Sequence, residues 1–291
     1  MNNATQLLAE VKMRQDLIEN INDILIRHDV AGRITAEDLV ITDSLITDSS
    51  KERLSEFIIS SIWPSIYSAT VYHYTQKGFA ESILNTEVLR LSNIGKRYHE
   101  GEIVAFCDTH NLTGYLLEDE EGNPAYRKLL VPNTFYASFT DSNISTEEEK
   151  RFWQDFAGSD GARLKIQIEA TNPNLRHIYY EKKKGTPIPL LNEIRRCIKQ
   201  HTGLEFILRG VSRLCAFYLI GSDYEHEKEL RAYYKTYDDW GMQPKGSGAD
   251  SYLEIPLGIE NDSGYKMSIL EVQARERLDI PSSYIFSKRS I

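Results

Sequence analysis

Apolar residues recur along residues 5–28 at Leu7/Leu8, Val11, Leu17/Ile18, Ile21 and Ile24/Leu25, with acids and amides between them. That spacing predicts one long amphipathic helix. Past Gly32 the chain runs through Thr35-Ala36-Glu37-Asp38. Ser49 and Ser50 are then placed to cap a second helix carrying Leu54, Phe57, Ile58 and Ile62, which Pro64 stops. Residues 1–66 therefore read as a helical region that could cover a sheet, bind a partner protein or dimerise, and residues 67–291 as an α+β domain.

From Ala69 the pattern changes. Ala69–Thr75 is β-branched and aromatic and predicts a strand, Gln76–Leu84 a short helix with Phe79, Ile83 and Leu84 on one side, and Val88–Ser92 a second short strand. Glu102–Cys107 reads as a further strand. Phe135–Thr140 alternates: Phe135, Ala137 and Phe139 face one way, Tyr136, Ser138 and Thr140 the other. Such a polar face can stack a flat ring and hydrogen-bond sugar hydroxyls, or it can be an ordinary half-exposed strand. Glu147–Phe156 predicts a helix with an acidic first turn and with Phe152, Trp153 and Phe156 turned inward. Ala162–Glu169 alternates again. Pro187–Gln200 and Leu204–Leu219 read as two helices broken at Gly203, and strands are expected at Tyr252–Leu257 and Lys266–Gln273.

Composition adds few constraints. With 41% hydrophobic and 26% charged residues, the 291-residue chain sits at globular averages and is long enough for a full core. The net charge of −9 disfavours broad attraction to nucleic acid or anionic membranes; Lys182, Lys183 and Lys184 form the one basic run, and a solvated turn explains it. Cys107, Cys197 and Cys215 are odd in number and lack CxxC spacing, so neither a disulfide framework nor a zinc ribbon is expected. Cys197 and His201, four apart, have no second pair to complete a metal site. There is no apolar run of membrane-spanning length and no signal-like start, and a cytoplasmic location is the expectation.

The chemistry-bearing stretch is Tyr224-Glu225-His226-Glu227-Lys228-Glu229-Leu230-Arg231. If residues 227–233 form a strand, Glu227, Glu229 and Arg231 share one face. A solvated edge strand with a local ion pair explains the same residues.

Taken in order, His73-Tyr74-Thr75 with its following helix and Leu89-Arg90-Leu91-Ser92, then Tyr136-Ala137-Ser138-Phe139, Trp153 with Phe156 and Gly161, and Glu227-x-Glu229-x-Arg231 resemble a family of bacterial proteins of phage-defence and effector contexts. That family looks like distant members of the ADP-ribosyltransferase superfamily. The resemblance spans roughly residues 70–275. It departs from the family pattern at Asn93-Ile94-Gly95-Lys96, where an Asn-Asp-Pro-like turn and an acid are usual, and at Phe156, where the family has Tyr.

What the resemblance implies is a split mixed or antiparallel sheet that grips NAD and transfers its ADP-ribose to a macromolecular acceptor, protein or nucleic acid. In that scheme Glu229 holds the ribose 2′-hydroxyl and the developing oxocarbenium charge, and Glu227 orients or deprotonates the acceptor. The reverse assignment, with Glu227 as the essential carboxylate, fits the same spacing. His73 would bond the adenosine side, with Tyr74 in the same motif and Thr75 and Ser138 in support. Tyr136 would stack the nicotinamide, and Arg231 would pair with a phosphate or position Glu229. An NAD glycohydrolase, or an interaction module on the same fold, are the competing readings.

Overall fold

The computed structural model describes residues 3–42, 44–96, 99–181, 183, 185–220, 222–236, 241–280, 284 and 286–288. In chain order the N-terminal elements are α1 (Asn3–Arg27), the antiparallel hairpin β1 (Leu39–Ile41) and β2 (Leu45–Asp48), and α2 (Arg53–Ile62). Next come β3 (Ser68–Thr75), α3 (Lys77–Thr86), β4 (Val88–Asn93), α4 (His99–His110), α5 (Ala125–Leu129), β5 (Thr134–Asp141) and α6 (Thr146–Phe152). A π-helical turn, Trp153–Ala157, extends α6. Then follow β6 (Ala162–Ala170), β7 (Leu175–His177), β8 (Tyr179–Glu181), α7 (Pro189–Thr202), β9 (Glu205–Ile207), α8 (Val211–Ala216) and β10 (Tyr218–Ile220). The last elements are a 3₁₀ turn, Ser222–Glu227, and β11 (Glu229–Lys235), β12 (Tyr252–Pro256), β13 (Tyr265–Ala274) and β14 (Phe286–Lys288).

The fold is α+β with antiparallel and mixed sheets. Two stretches differ from the sequence expectation. Residues 102–107 are helical, within α4, because Ile103, Phe106, Cys107 and His110 are buried at helical spacing. Residues 204–219 are not one helix but strand, short helix and strand, interrupted at Arg209-Gly210. A Cβ on Gly210 would come within 2.4 Å of the Ser55 side chain, so this turn packs directly on α2.

The main sheet runs β12-β4-β5-β3-β6-β13-β14, with β11 also paired to β5 and β7 to β11. Strand β5 pairs with β11 along residues 134–140, whereas β4 takes only residues 135–136 and β3 only residues 140–141. A strand has two edges, and β11 occupies one. Hence β3 and β4 share the other edge and diverge between residues 137 and 139, so the sheet is split there.

Each face of the sheet buries its own core. Phe135, Ala137, Phe139, Leu230 and Ala232 belong to a cluster with α3, β6, β12 and β13. On the opposite face Tyr136 and Tyr233 join a larger cluster that includes Leu17 and Ile21 of α1, Leu54 and Ile58 of α2, and residues of α4, α7 and α8. The N-terminal region thus shares its core with the rest of the chain. Strand β2 also pairs in parallel with β9, and buried Arg176 of β7 donates to Glu56 of α2 at 2.9 Å and to the Trp63 carbonyl. No helix among the described residues is long and apolar enough to cross a membrane.

Candidate functional site

Cross-strand register fixes which side chains meet. Glu229 lies opposite Thr140, Arg231 opposite Ser138 and Tyr233 opposite Tyr136, and Thr140 lies opposite Tyr72. Directly paired residues project to the same face, so Glu229, Arg231, Ser138, Thr140, Tyr136 and Tyr72 form one patch. It lies between the large core around Tyr136 and Tyr233 and a small cluster of Tyr74, Phe152, Trp153 and Ala157. A polar strip between two apolar ones is what the alternation of β5 and β11 produces once both ends are covered.

Arg231 is the anchor of the strip. It is buried, and its Nε and Nη2 donate to the two carboxylate oxygens of Glu229 at 2.7 and 3.1 Å. Nη1 donates to the Ala216 carbonyl at 2.5 Å and lies 3.9 Å from Glu102. The guanidinium sits 4.4 Å over the ring of Tyr136. Tyr136, expected to stack a ligand ring, is therefore buried under Arg231, and Arg231 is committed to protein partners. Glu229 is also held through its backbone: its N–H donates to the Tyr180 hydroxyl oxygen at 3.1 Å and its carbonyl accepts the Ile178 N–H at 3.0 Å.

Glu227 does not sit on the strand. Lys228 adopts the left-handed region, φ 45, and ends the two-residue alternation one position before β11 begins. The Lys228 ammonium bridges to Glu148 of α6 at 2.9 Å, which pins the turn to that helix. Glu227 stays half-buried at the end of the 3₁₀ turn. Burial first, then the charges of Glu229 and Asp155, push its carboxyl up to about 7, with Arg231 pulling the other way. The two glutamates are thus coupled electrostatically, but not by the strand geometry that their spacing suggests.

His73 belongs to the other face. It pairs with Leu164, one residue out of step with Tyr72, and its ring lies 5.7 Å from that of Phe139. Its Nδ1 donates to the Ser138 carbonyl at 3.2 Å, which supplies a partner where β3 has left β5. The imidazole therefore sits in the split of the sheet, with β5 between it and the acids. Tyr74 is buried against Phe152 and Trp153 at 5.7 Å from each, and burial pushes its phenol up to about 12. Thr75 ends β3. A Cβ on Gly161 would stand 2.5 Å from the Thr75 carbonyl and 2.0 Å from that of Ala157, so only glycine lets the chain cross there. Phe152 and Trp153 are inward as expected, whereas Phe156 is 41% exposed and stacks on Phe152 at 5.9 Å.

The structure thus joins Glu227, Glu229, Arg231, Tyr136 and Ser138 at one locus, and leaves His73 and Thr75 at the split beside it. Sequence reasoning missed Tyr180, Glu102 and Asp155. A tyrosine within the β8 strand carries no motif, and the proximity of all three arises only from the fold. Two cavities lie elsewhere: one of about 370 Å³ lined by Glu52, Asn174, Arg213 and Lys235 among others, and one of about 140 Å³ beside Trp63 and Tyr179. His201 turns back onto its own helix, its Nδ1 3.0 Å from the Cys197 carbonyl, and no group of three or more metal-ligating residues occurs among those described. Lys182 and Lys184, two-thirds of the basic run, lie outside the described residues. No protein-family model, curated protein or solved structure matches the chain.

Proposed function

We propose that the chain is an NAD-dependent mono-ADP-ribosyltransferase acting on a macromolecular acceptor, in the bacterial defence or effector setting that its motif order suggests. The observation that carries the reading is the pairing of unlike carboxylates at the head of β11. Glu229 is gripped at both carboxylate oxygens by Arg231, whereas Glu227 is half-open with a proton affinity raised to about 7.

That difference suits the chemistry. The bond from nicotinamide to the ribose breaks with the ring departing neutral, so no general acid is required. The sugar carbon gains positive charge, which fixed carboxylates stabilise. The acceptor nucleophile then bonds to that carbon and loses its proton, and a carboxylate near half-ionisation at neutral pH is matched to receive it. In this reading Glu227 is the group that meets substrate and acceptor, and Glu229 holds the local charge and, through Arg231, the shape of the strand end. The sheet also splits at residues 137–139, where His73 bonds the Ser138 carbonyl on the face opposite the acids.

The test is incubation with NAD labelled in its adenylate half, followed by separation of protein, RNA and free ADP-ribose. Label on protein or RNA is the expected result. Label only in free ADP-ribose makes the enzyme a glycohydrolase. Intact NAD, with no label transferred, overturns enzymatic turnover altogether.

A further inference from the structure

Tyr180 stands at the same locus and has no role in the scheme above. It lies on β8, which pairs with β10 in parallel and packs beside the 3₁₀ turn that carries Glu227. Its hydroxyl oxygen accepts the Glu229 amide at 3.1 Å, which fixes the position of that oxygen. A phenol has one proton to give, and among the described residues no hydrogen bond from this hydroxyl to a protein acceptor is formed. The Tyr180 side chain is partly exposed rather than fully enclosed.

Among the charged groups of the strip, the carboxylates of Glu227 and Glu229 offer acceptors, and the Arg231 donors that reach it are directed to Glu229, Ala216 and Glu102; the uncharged hydroxyls of Ser138 and Thr140 share the strip. A sugar hydroxyl is both donor and acceptor, so a site that recognises one needs a donor beside its carboxylates. Burial, then the charges of Glu229 and Glu227, push the Tyr180 phenol well above its usual range, so it keeps its proton at every working pH.

We propose that the Tyr180 hydroxyl donates a hydrogen bond to a ribose hydroxyl of the NAD co-substrate, while Glu227 accepts from the same sugar. This rests on the transferase reading and makes Tyr180 a substrate-binding residue from a part of the chain outside the motifs.

The test is a binding cycle on the full-length protein: wild type and Tyr180→Phe, each titrated by calorimetry with NAD and with analogues lacking the 2′- or the 3′-hydroxyl of the nicotinamide ribose. Wild type should disfavour one of the two analogues by about tenfold, the scale of one hydrogen bond, and Tyr180→Phe should lose that preference. A purely structural role would weaken all three ligands equally and leave the ratio intact. Retained discrimination in Tyr180→Phe therefore overturns the proposal while leaving the transferase reading standing. A wild-type protein that binds NAD without preferring either hydroxyl also overturns it, and one that does not bind NAD at all overturns both.

Discussion

The guanidinium of Arg231 and the carboxylate of Glu229 form a two-point hydrogen-bonded pair, 2.7 and 3.1 Å, buried with the guanidinium lying over the ring of Tyr136. One acid of the Glu-x-Glu sequence is thereby consumed in holding the strand end, and in the proposed transferase the chemistry falls to the other. Glu227→Gln should lower turnover by ~10²–10³-fold, the cost of one preorganised charge, with the melting temperature little changed. Glu229→Gln should reduce both, because it leaves a buried guanidinium short of its counter-charge, a loss on the order of 3–5 kcal/mol. Steady-state rates and thermal melts on the two variants, side by side, check the division of labour; equal melts would sink it.

The rate should depend on pH through Glu227. Its carboxyl titrates at about 7, so kcat/KM should rise with an ascending limb near neutrality as the acid ionises. In Glu227→Gln that limb should vanish from whatever activity remains. A limb at the ordinary carboxylate position near 4 would remove Glu227 from the role.

His110 offers a stability test away from the site. It is buried in α4; Nδ1 donates to the Phe106 carbonyl at 2.8 Å and Nε2 accepts the Ile188 N–H at 2.9 Å, so both nitrogens are occupied in the neutral form. Burial lowers its pKa to about 4 from 6.5. Below pH 6.5 the unfolded chain binds a proton that the folded one refuses, so stability declines as pH falls from about 6.5 to 4 and the term is constant below that. The loss should reach roughly 3 kcal/mol, read from urea midpoints at stepped pH, and His110→Gln should flatten the curve.

The N-terminal residues should prove indispensable. Leu17, Ile21, Leu54 and Ile58 are fully buried in the same core as Phe217 and Tyr218, and Arg176, besides its bond to the nearby Pro173 carbonyl, donates to Glu56 of α2 and to the Trp63 carbonyl. Residues 67–291 expressed alone should lack a cooperative melt, since they would expose that core and strand Arg176 in it. A cooperative transition in the truncated chain would make the first 66 residues a removable unit instead.

Much of the secondary structure was legible because it is amphipathic: α1, β3, β6, α7 and β13 each have one wetter face, and β5 alternates apolar with polar residues although both of its faces are largely covered. The stretches misread have no such contrast. Ile103-Val104 within α4 is β-branched and resembles a strand, and Leu214, Cys215, Ala216, Phe217 and Tyr218 are all buried, which erases any period. At the site, the alternation of β11 was readable from Glu229 onward, but a single left-handed residue, Lys228, detached Glu227 from it. The Glu229–Arg231 pair is local, two residues apart, whereas the arrival of Tyr180 from β8 depends on a pairing 49 residues apart along the chain.

The way β5 is shared has a mechanical corollary. One wing, β4 with β12, and another, β3 with β6 and β13, hang from a single strand, and across that edge only residues 137–139 and the imidazole of His73 intervene. What spans the gap between the wings is therefore side-chain packing and not a ladder: Leu84 of α3, Leu91 of β4, Leu253 of β12 and Ile166 of β6 lie in one core beneath it.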